Sequence, residues 1–249
     1  MTDARTALVT GASRGIGAEV ARALSAAGYR VAVHFSRSGG AAAEVHATLD
    51  GEGHIVVQAD LRDPEQVRAM VDEVAASLGT IDVLVNNAGV FLSHPIDEVS
   101  YEEWQEAWRE TIDVNLIGPA NVTWCAVRHM GPGGRVINVG SRGAFRGEPH
   151  SPAYGASKAG IASLGQSLAK YLGVRGIAVT TIAPGFVATD MATEAMEGDK
   201  GAIRRAESPF NRIAEPEEIA AAVVYLASPQ AEWASGGILD LNGASYLRM

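Results

Sequence analysis

Tyr154 and Lys158 stand four residues apart in "SPAYGASKAG", residues 151–160, among Gly, Ala and Ser. On a helix, residues at that spacing share a face. A free phenol titrates near ~10, too high for a good base at neutral pH. An ammonium group close by favours the phenolate. The pair therefore reads as a proton donor whose pKa is lowered, and the small residues Gly155, Ala156 and Ser157 leave room for other groups to approach. The competing reading is a chance pair on a helix surface. Two further polar residues, Ser141 after "VINVG" and Asn115 in "VNLIG", read when taken alone as a turn or cap serine and a polar helix residue.

A second group of residues suits a phosphate. "TGASRGIG" follows an apolar run and opens a helical pattern, with Ser13, Arg14 and Ile16 set among Gly11, Gly15 and Gly17. Glycines there permit a tight turn and close backbone approach, and a helix N-terminus offers free N–H groups and a positive dipole end. The spacing is not the usual G-x-G-x-x-G; the position, at the first βα turn, carries the reading. The next apolar run ends in "VHFSRS". A site for NAD usually places Asp or Glu there, on the ribose 2′-hydroxyl. Ser36 and Arg37 stand there instead, with Arg14 in the glycine loop. Arginine and hydroxyl suit a 2′-phosphate, so the residues point to NADP(H) in preference to two solvated surface arginines.

The elements that must position these groups alternate along the 249 residues. Seven apolar, β-rich runs read as strands: "TALVT", "RVAVHF", "HIVVQAD", "IDVLVNNAG", "GRVINVGS", "IAVTTIAPG" and "GILDLNG". Between them lie helical patterns, including "PEQVRAMVDEVAASLG", the stretch 101–129, "YGASKAGIASLGQSLAKYLG" and "EPEEIAAAVVYLAS". The strands are nearly continuous apolar runs, which suits a parallel sheet covered on both faces. Strand and helix alternate throughout, so the expectation is one doubly wound α/β domain over residues 1–249, with a mostly parallel seven-stranded sheet. The least regular stretch, 188–212, reads as a substrate lid.

Composition excludes several classes. The formal net charge of −9 gives no support to general nucleic-acid or anionic-membrane binding. Cys125 is the only cysteine and reads as a small buried residue, not a catalytic thiol. The N-terminus lacks a signal-peptide layout and no run of apolar residues reaches the length of a membrane span, so the chain reads as soluble and cytoplasmic. The six histidines, at 34, 46, 54, 94, 129 and 150, show no metal-ligand spacing, and core or surface roles are the better reading.

Seven motifs in order resemble the classical short-chain dehydrogenase/reductase family, essentially from end to end. They are "TGASRGIG", "AD" before Leu61, "NNAG" at 86–89, "VNLIG" at 114–118, Ser141 after "VINVG", "YGASK" at 154–158 and "APGFVATDM" at 183–191. The resemblance implies a Rossmann fold and hydride transfer between a nicotinamide and a carbonyl carbon. It implies that Tyr154 is the acid or base, that Lys158 binds the nicotinamide ribose and lowers the phenol pKa, that Ser141 bonds the substrate oxygen, and that Asn115 holds a water in a proton relay. Asp60 and Leu61 would lie by the adenine. Asn87 and Gly89 would line the cofactor groove, and Pro184, Gly185, Val187 and Thr189 would contact the nicotinamide end.

Within the family, "PGFVATDM" and "PEEIAAAVVYLAS" are most similar to 3-oxoacyl-[acyl-carrier-protein] reductases. Arg175 matches one docking arginine for the acidic carrier protein, whereas Pro132 and Gly133 stand where a second basic residue is expected, and "LDLNGASYLRM" departs from the usual "VDGG" ending. A 3-oxoacyl thioester and a small ketone or polyol are both open as substrates. An NAD-linked alcohol, sugar or steroid dehydrogenase and a non-catalytic NADP-binding regulator are the competing functions. "IRRAE" offers Arg204 and Arg205 as an anion clamp or as a solvated face. The resemblance also implies a homotetramer, with Ala159, Ala162 and Gly165 suited to close helix packing between subunits.

Overall fold

Successive residues of a strand point to opposite faces of its sheet, and the first strand, β1 (Thr6–Val9), is buried on both. Ala7 and Val9 pack on one side and Leu8 on the other, each with no exposed surface. The computed structural model describes residues 4–189 and 198–248. In it β1, β2 (Arg30–Phe35), β3 (Ile55–Gln58), β4 (Val83–Asn86), β5 (Arg135–Val139), β6 (Ala178–Pro184) and β7 (Ile238–Leu241) form one sheet in the order β3-β2-β1-β4-β5-β6-β7. Every strand pair is parallel. The strand order reverses beside β1, which makes the carboxyl ends of β1 and β4 the topological switch point where such sheets bind ligands.

Helices cover both faces. On one side lie α1 (Gly15–Ala26) and α9 (Pro216–Ala227), with Val20, Leu24, Val223 and Leu226 in the core. On the other, α3 (Pro64–Leu78) and α5 (Gly118–Ala126) contribute Val67, Val71, Val74, Val122 and Cys125. Cys125 is thus a core residue, and burial pushes its thiol pKa up. The remaining helices are α2 (Gly39–Ala47), α4 (Tyr101–Ile112), the single turn α6 (Gly143–Arg146), the long α7 (Pro152–Leu172) and α8 (Gly198–Ala206). Local chemistry sets their ends. Asp63 accepts from the Glu65 and Gln66 N–H groups ahead of Pro64, and Ser100 and Glu103 close a capping box on α4. No helix among the described residues is long and apolar enough to cross a membrane.

Three expectations change. The stretch 101–129 is helical to Ala126, but with a feature not expected: Asp113–Ile117 winds as a π turn between α4 and α5. The irregular stretch 188–212 contains α8, while residues 190–197 of that reading lie outside the described residues. Gly165 and Ala162 pack inside the protomer, not on an open helix face. Ala162 is buried, and a Cβ on Gly165 would sit 2.8 Å from Thr181 Oγ1 and 3.0 Å from Asn138 Nδ2, so this glycine lets α7 press onto β5 and β6.

Candidate active site

The glycine loop is built around close approach. Gly11 adopts φ +64, and a Cβ there would lie 2.8 Å from Ala88 Cα. A Cβ on Gly17 would run into the Gly11 carbonyl oxygen and Asn87 Nδ2. Asn87 earns that position by donating from Nδ2 to the Thr10 and Gly11 carbonyls at 2.9 and 3.1 Å. Gly15 has φ +55 and meets the Thr189 side chain. Ile16 packs against the core and so fixes the start of α1.

Ser13, Arg14 and Gly15 line a hollow of about 310 Å³ whose far wall includes Ala188 and Thr189. Ser36 and Arg37 lie exposed at the end of β2. Among the described residues neither the Arg14 nor the Arg37 guanidinium has a carboxylate partner. Arg37 acts on its surroundings through charge, helping to lower the pKa of Asp60, whose larger cause is the Arg62 guanidinium bonded to it. Asp60 is therefore already held by Arg62, at 2.5 Å, and buried Leu61 packs on Gly118 at the start of α5. The donor set fits an NADP(H) cradle: glycines no side chain could replace, a helix N-terminus, Arg14 on the hollow itself and, at the end of β2, a second exposed arginine, Arg37.

The candidate reacting groups come from the segment after β5, which carries Ser141, from α7, which carries Tyr154 and Lys158, and from the π turn, which carries Asn115. Lys158, 5 % exposed, donates from Nζ to the Val139 carbonyl at 2.9 Å, and Nζ lies 5.6 Å from the Tyr154 ring centroid. The Ser141 side chain acts on the Tyr154 phenol, favouring its charged form, and accepts the Gly143 N–H at 3.0 Å. Asn115 comes from the π turn, a feature that often marks functional sites. Its Oδ1 accepts from the Val90 N–H at 2.8 Å, and its Nδ2 donates to the Val90 carbonyl at 2.9 Å and to Ser157 Oγ at 3.2 Å. Ser157 in turn donates to the Tyr154 carbonyl at 2.8 Å. A Cβ on Gly89 would lie 3.2 Å from Asn115 Oδ1 and 3.5 Å from Lys158 Nζ, so this glycine keeps the approach to both open. Pro184, Gly185 and Val187 continue from β6, with the Gly185 N–H donating to the Leu241 carbonyl at 3.0 Å and Val187 bridging to Ala214.

The electrostatics differ from the expectation in one respect. The phenol of Tyr154 is not lowered by the protein's own groups. Burial pushes it up to about 12, with the Ser141 hydrogen bond opposing and Glu148 adding to the rise. Burial also draws Lys158 down to about 8. Desolvation acts against the charged form of each group, and it is the leading cause of both shifts.

Several contributing residues escaped the sequence reading. His34 is buried and accepts the Gly11 N–H on Nδ1 at 3.0 Å, so its Nε2 donates to the Ala59 carbonyl at 3.1 Å. His94 accepts the Ala153 N–H on Nε2 at 3.2 Å, which leaves Nδ1 to donate to the Leu92 carbonyl at 2.8 Å. The Phe91 ring stands edge-on to Tyr154, with centroids 4.9 Å apart. Arg142, next to Ser141, is almost fully buried. A strand-end histidine in "VAVHF" was the one available signal; the others depend on contacts between distant segments.

Known proteins share this fold and much of this sequence. The family model described as "Enoyl-(Acyl carrier protein) reductase" matches residues 11–243. The 3-oxoacyl-[acyl-carrier-protein] reductase FabG of Staphylococcus aureus is 36% identical over 247 residues, 98% of each chain. A short chain dehydrogenase from Burkholderia cenocepacia in complex with NADP superimposes with a TM-score of 0.88 at 35% identity, covering 97% of each chain. The angucycline C-6 ketoreductase LanV with bound NADP gives a TM-score of 0.88 at 35% identity, covering 96% of this chain and 94% of that one. With its motifs on the expected strand ends and its whole length matched, the chain belongs to the short-chain dehydrogenase/reductase family.

Proposed function

We propose that this protein is an NADPH-dependent carbonyl reductase that converts a 3-oxoacyl thioester or related ketone to a secondary alcohol. The observation that carries the reading is the convergence of Ser141, Tyr154 and Lys158 at the strand ends beside a glycine cradle flanked by Arg14 and Arg37. NADP-bound relatives of the same fold support the cofactor.

Bound NADPH supplies a hydride, two electrons and one hydrogen nucleus, to the carbonyl carbon. The residues of this chain manage the oxygen. Ser141 donates a hydrogen bond to it, and Tyr154 transfers its phenolic proton to the forming alkoxide, so that alcohol and NADP⁺ result. A phenol held near pKa 12 by burial keeps its proton through the whole assay range, which suits the reducing direction. Lys158, drawn down to about 8, is still largely charged at neutral pH and steadies the phenolate left behind. Asn115, with both Nδ2 hydrogens engaged, holds the 90s loop and the turn carrying Tyr154 in register.

The cations nearest a carrier-protein docking position are tied to their own chain. Arg175 donates to the Val127 and Met130 carbonyls at 2.6 and 3.3 Å, and Arg128 stacks on Trp124 with its guanidinium carbon 3.0 Å from the ring centroid. The test therefore starts with a free thioester. NADPH and NADH oxidation with acetoacetyl-CoA are compared, followed by the acyl-carrier-protein thioester. Turnover selective for NADPH is expected, and Tyr154→Phe should lower it about 10²–10⁴-fold while NADPH still binds. Near-normal rates in that variant would overturn the mechanism.

We further read the assembly as a homotetramer and the stretch 188–212 as a cover over the site, with α8 its described helix. Exposed apolar side chains support two subunit contacts: Tyr101, Ile117 and Trp124 on α4, the π turn and α5, and Trp233, Leu239 and Leu247 around the edge strand β7. Sedimentation at micromolar concentration checks this, and a monomer alone would refute it.

A further inference from the structure

Beside the reacting end lies a cavity of about 200 Å³ between the segment after β6, the last turn of α8 and the chain after β7. Its walls include Arg142, Phe186, Arg204 and Arg212. Two of its lining residues are chain neighbours of candidate site residues: Arg142 directly follows Ser141, and Phe186 directly follows Gly185.

Most of the charge around it is neutralised in pairs. Arg142, 3% exposed, donates from Nη2 to Glu207. Arg146 lies 3.5 Å from the same carboxylate and 3.5 Å from Glu148. Arg212 forms a two-pronged bond with Glu218 at 2.6 and 2.7 Å. Asp240 is taken by Arg248 at 2.8 Å.

Among the described residues that line the cavity, Arg204 is the cation left over. Its guanidinium carbon lies 5.0 Å from the Phe186 ring centroid, on which Arg142 also packs at 4.8 Å. Its Nη1 is buried and has no hydrogen-bond partner among the described residues. A buried guanidinium N–H with no acceptor is unfavourable, and a carboxylate matches the guanidinium fork best. The cavity is smaller than the usual range for drug-sized ligands, which fits a short acid.

We propose that the substrate is a ketone bearing a carboxylate, and that Arg204 binds that carboxylate in this cavity. The proposal rests on the carbonyl-reductase reading above and names its substrate class. Of the two arginines in "IRRAE", only Arg204 lines the cavity; Arg205 does not.

Two measurements test it. The first compares kcat/KM for 4-oxopentanoate, 5-oxohexanoate and 6-oxoheptanoate with that for their methyl esters. An acid-over-ester preference of about tenfold or more is expected at one or more of these lengths. Arg204→Gln should collapse that ratio, and Arg205→Gln should leave it unchanged. The second measures hexanoate and hexanamide binding by calorimetry on the NADPH-loaded protein, which needs no turnover. Hexanoate should bind at least about tenfold tighter than hexanamide, and Arg204→Gln should remove the difference. Equal turnover of acid and ester at every length, or equal hexanoate affinity with and without Arg204, would overturn the proposal and leave the reductase reading standing. Arg204-dependent hexanoate binding with neither these ketones nor the thioesters above reduced would support the anion site and overturn the reductase reading instead.

Discussion

Lys158 Nζ and the Tyr154 ring centroid are 5.6 Å apart, and the ammonium group reaches past the ring to the Val139 carbonyl at 2.9 Å. The lysine is thus anchored to β5 and presents its remaining donors toward the groove. Burial favours its neutral form and draws its pKa down to about 8, from 10.5. Two opposite pH effects follow. Catalysis that needs the charge should weaken as pH rises through about 8. Stability should move the other way: the folded pKa lies below the unfolded one, so between about 8 and 10.5 the unfolded chain binds more protons, and folding gains as pH rises. Profiles of kcat/KM and of thermal melting over this window check both, and Lys158→Met should flatten both together. A kcat/KM profile of Lys158→Met that still falls at pH 8 would assign that limb to another group.

Arg14 and Arg37 are exposed, and no carboxylate among the described residues neutralises them. A charge-assisted hydrogen bond to a phosphate contributes about 1.5–3 kcal/mol, or roughly 10- to 100-fold in preference. Arg37→Gln should therefore reduce the ratio of kcat/KM for NADPH over NADH by about that factor. The preference should also shrink at high salt, because exposed charges are screened. An unaltered ratio in Arg37→Gln and Arg14→Gln alike would remove these residues from the nucleotide choice.

His34 links three strand ends through one neutral ring, accepting from Gly11 and donating to Ala59. Burial draws its pKa down from 6.5 to about 4, against the opposing hydrogen bond to Ala59. Its folded pKa is below its unfolded one, so its stabilising contribution is complete above about 6.5 and is lost as pH falls toward 4. A shift of that size corresponds to about 3 kcal/mol. Melting temperature should drop across this window, and His34→Asn, which retains an acceptor near Nδ1, should drop less. Parallel curves for the two proteins would place the acid sensitivity elsewhere.

The parts of this molecule that repeat a local rule were legible. The inner strands read as short apolar runs because a parallel sheet covered on both faces leaves no polar alternation, as Ala7, Leu8 and Val9 illustrate. Tyr154 and Lys158 were legible because α7 places residues four apart on one face. The π turn at Asp113–Ile117 was not, since one extra residue in a turn leaves no periodic trace in a helical stretch. Arg142 was missed because an arginine reads as surface, and its burial depends on Glu207, 65 residues away. Gly165 was assigned to a subunit contact because sequence shows that a helix face is small, not which neighbour it meets. The phenol pKa was expected to fall because the charge of Lys158 is visible in sequence, whereas the desolvation that opposes it is a property of the packed site.

On the mechanism proposed for Tyr154, His94 acts as a positioning residue. It is 1% exposed, its ring stands 5.4 Å from that of Trp104, and its Nε2 accepts the N–H of Ala153, the residue before Tyr154. That N–H belongs to the first turn of α7, where intrahelical partners are missing. His94→Ala would leave a buried donor unpaired, a cost of about 1–3 kcal/mol, and would loosen the turn that aims the phenol. Melting temperature should fall, and kcat should fall about tenfold with KM for NADPH little changed, because the displaced group acts on the substrate oxygen. His94→Gln can return an acceptor near Nε2 and should recover much of kcat. Recovery of stability in His94→Gln without recovery of kcat would mean that the imidazole ring, packed on Trp104, aims Tyr154 through its shape and not through the hydrogen bond.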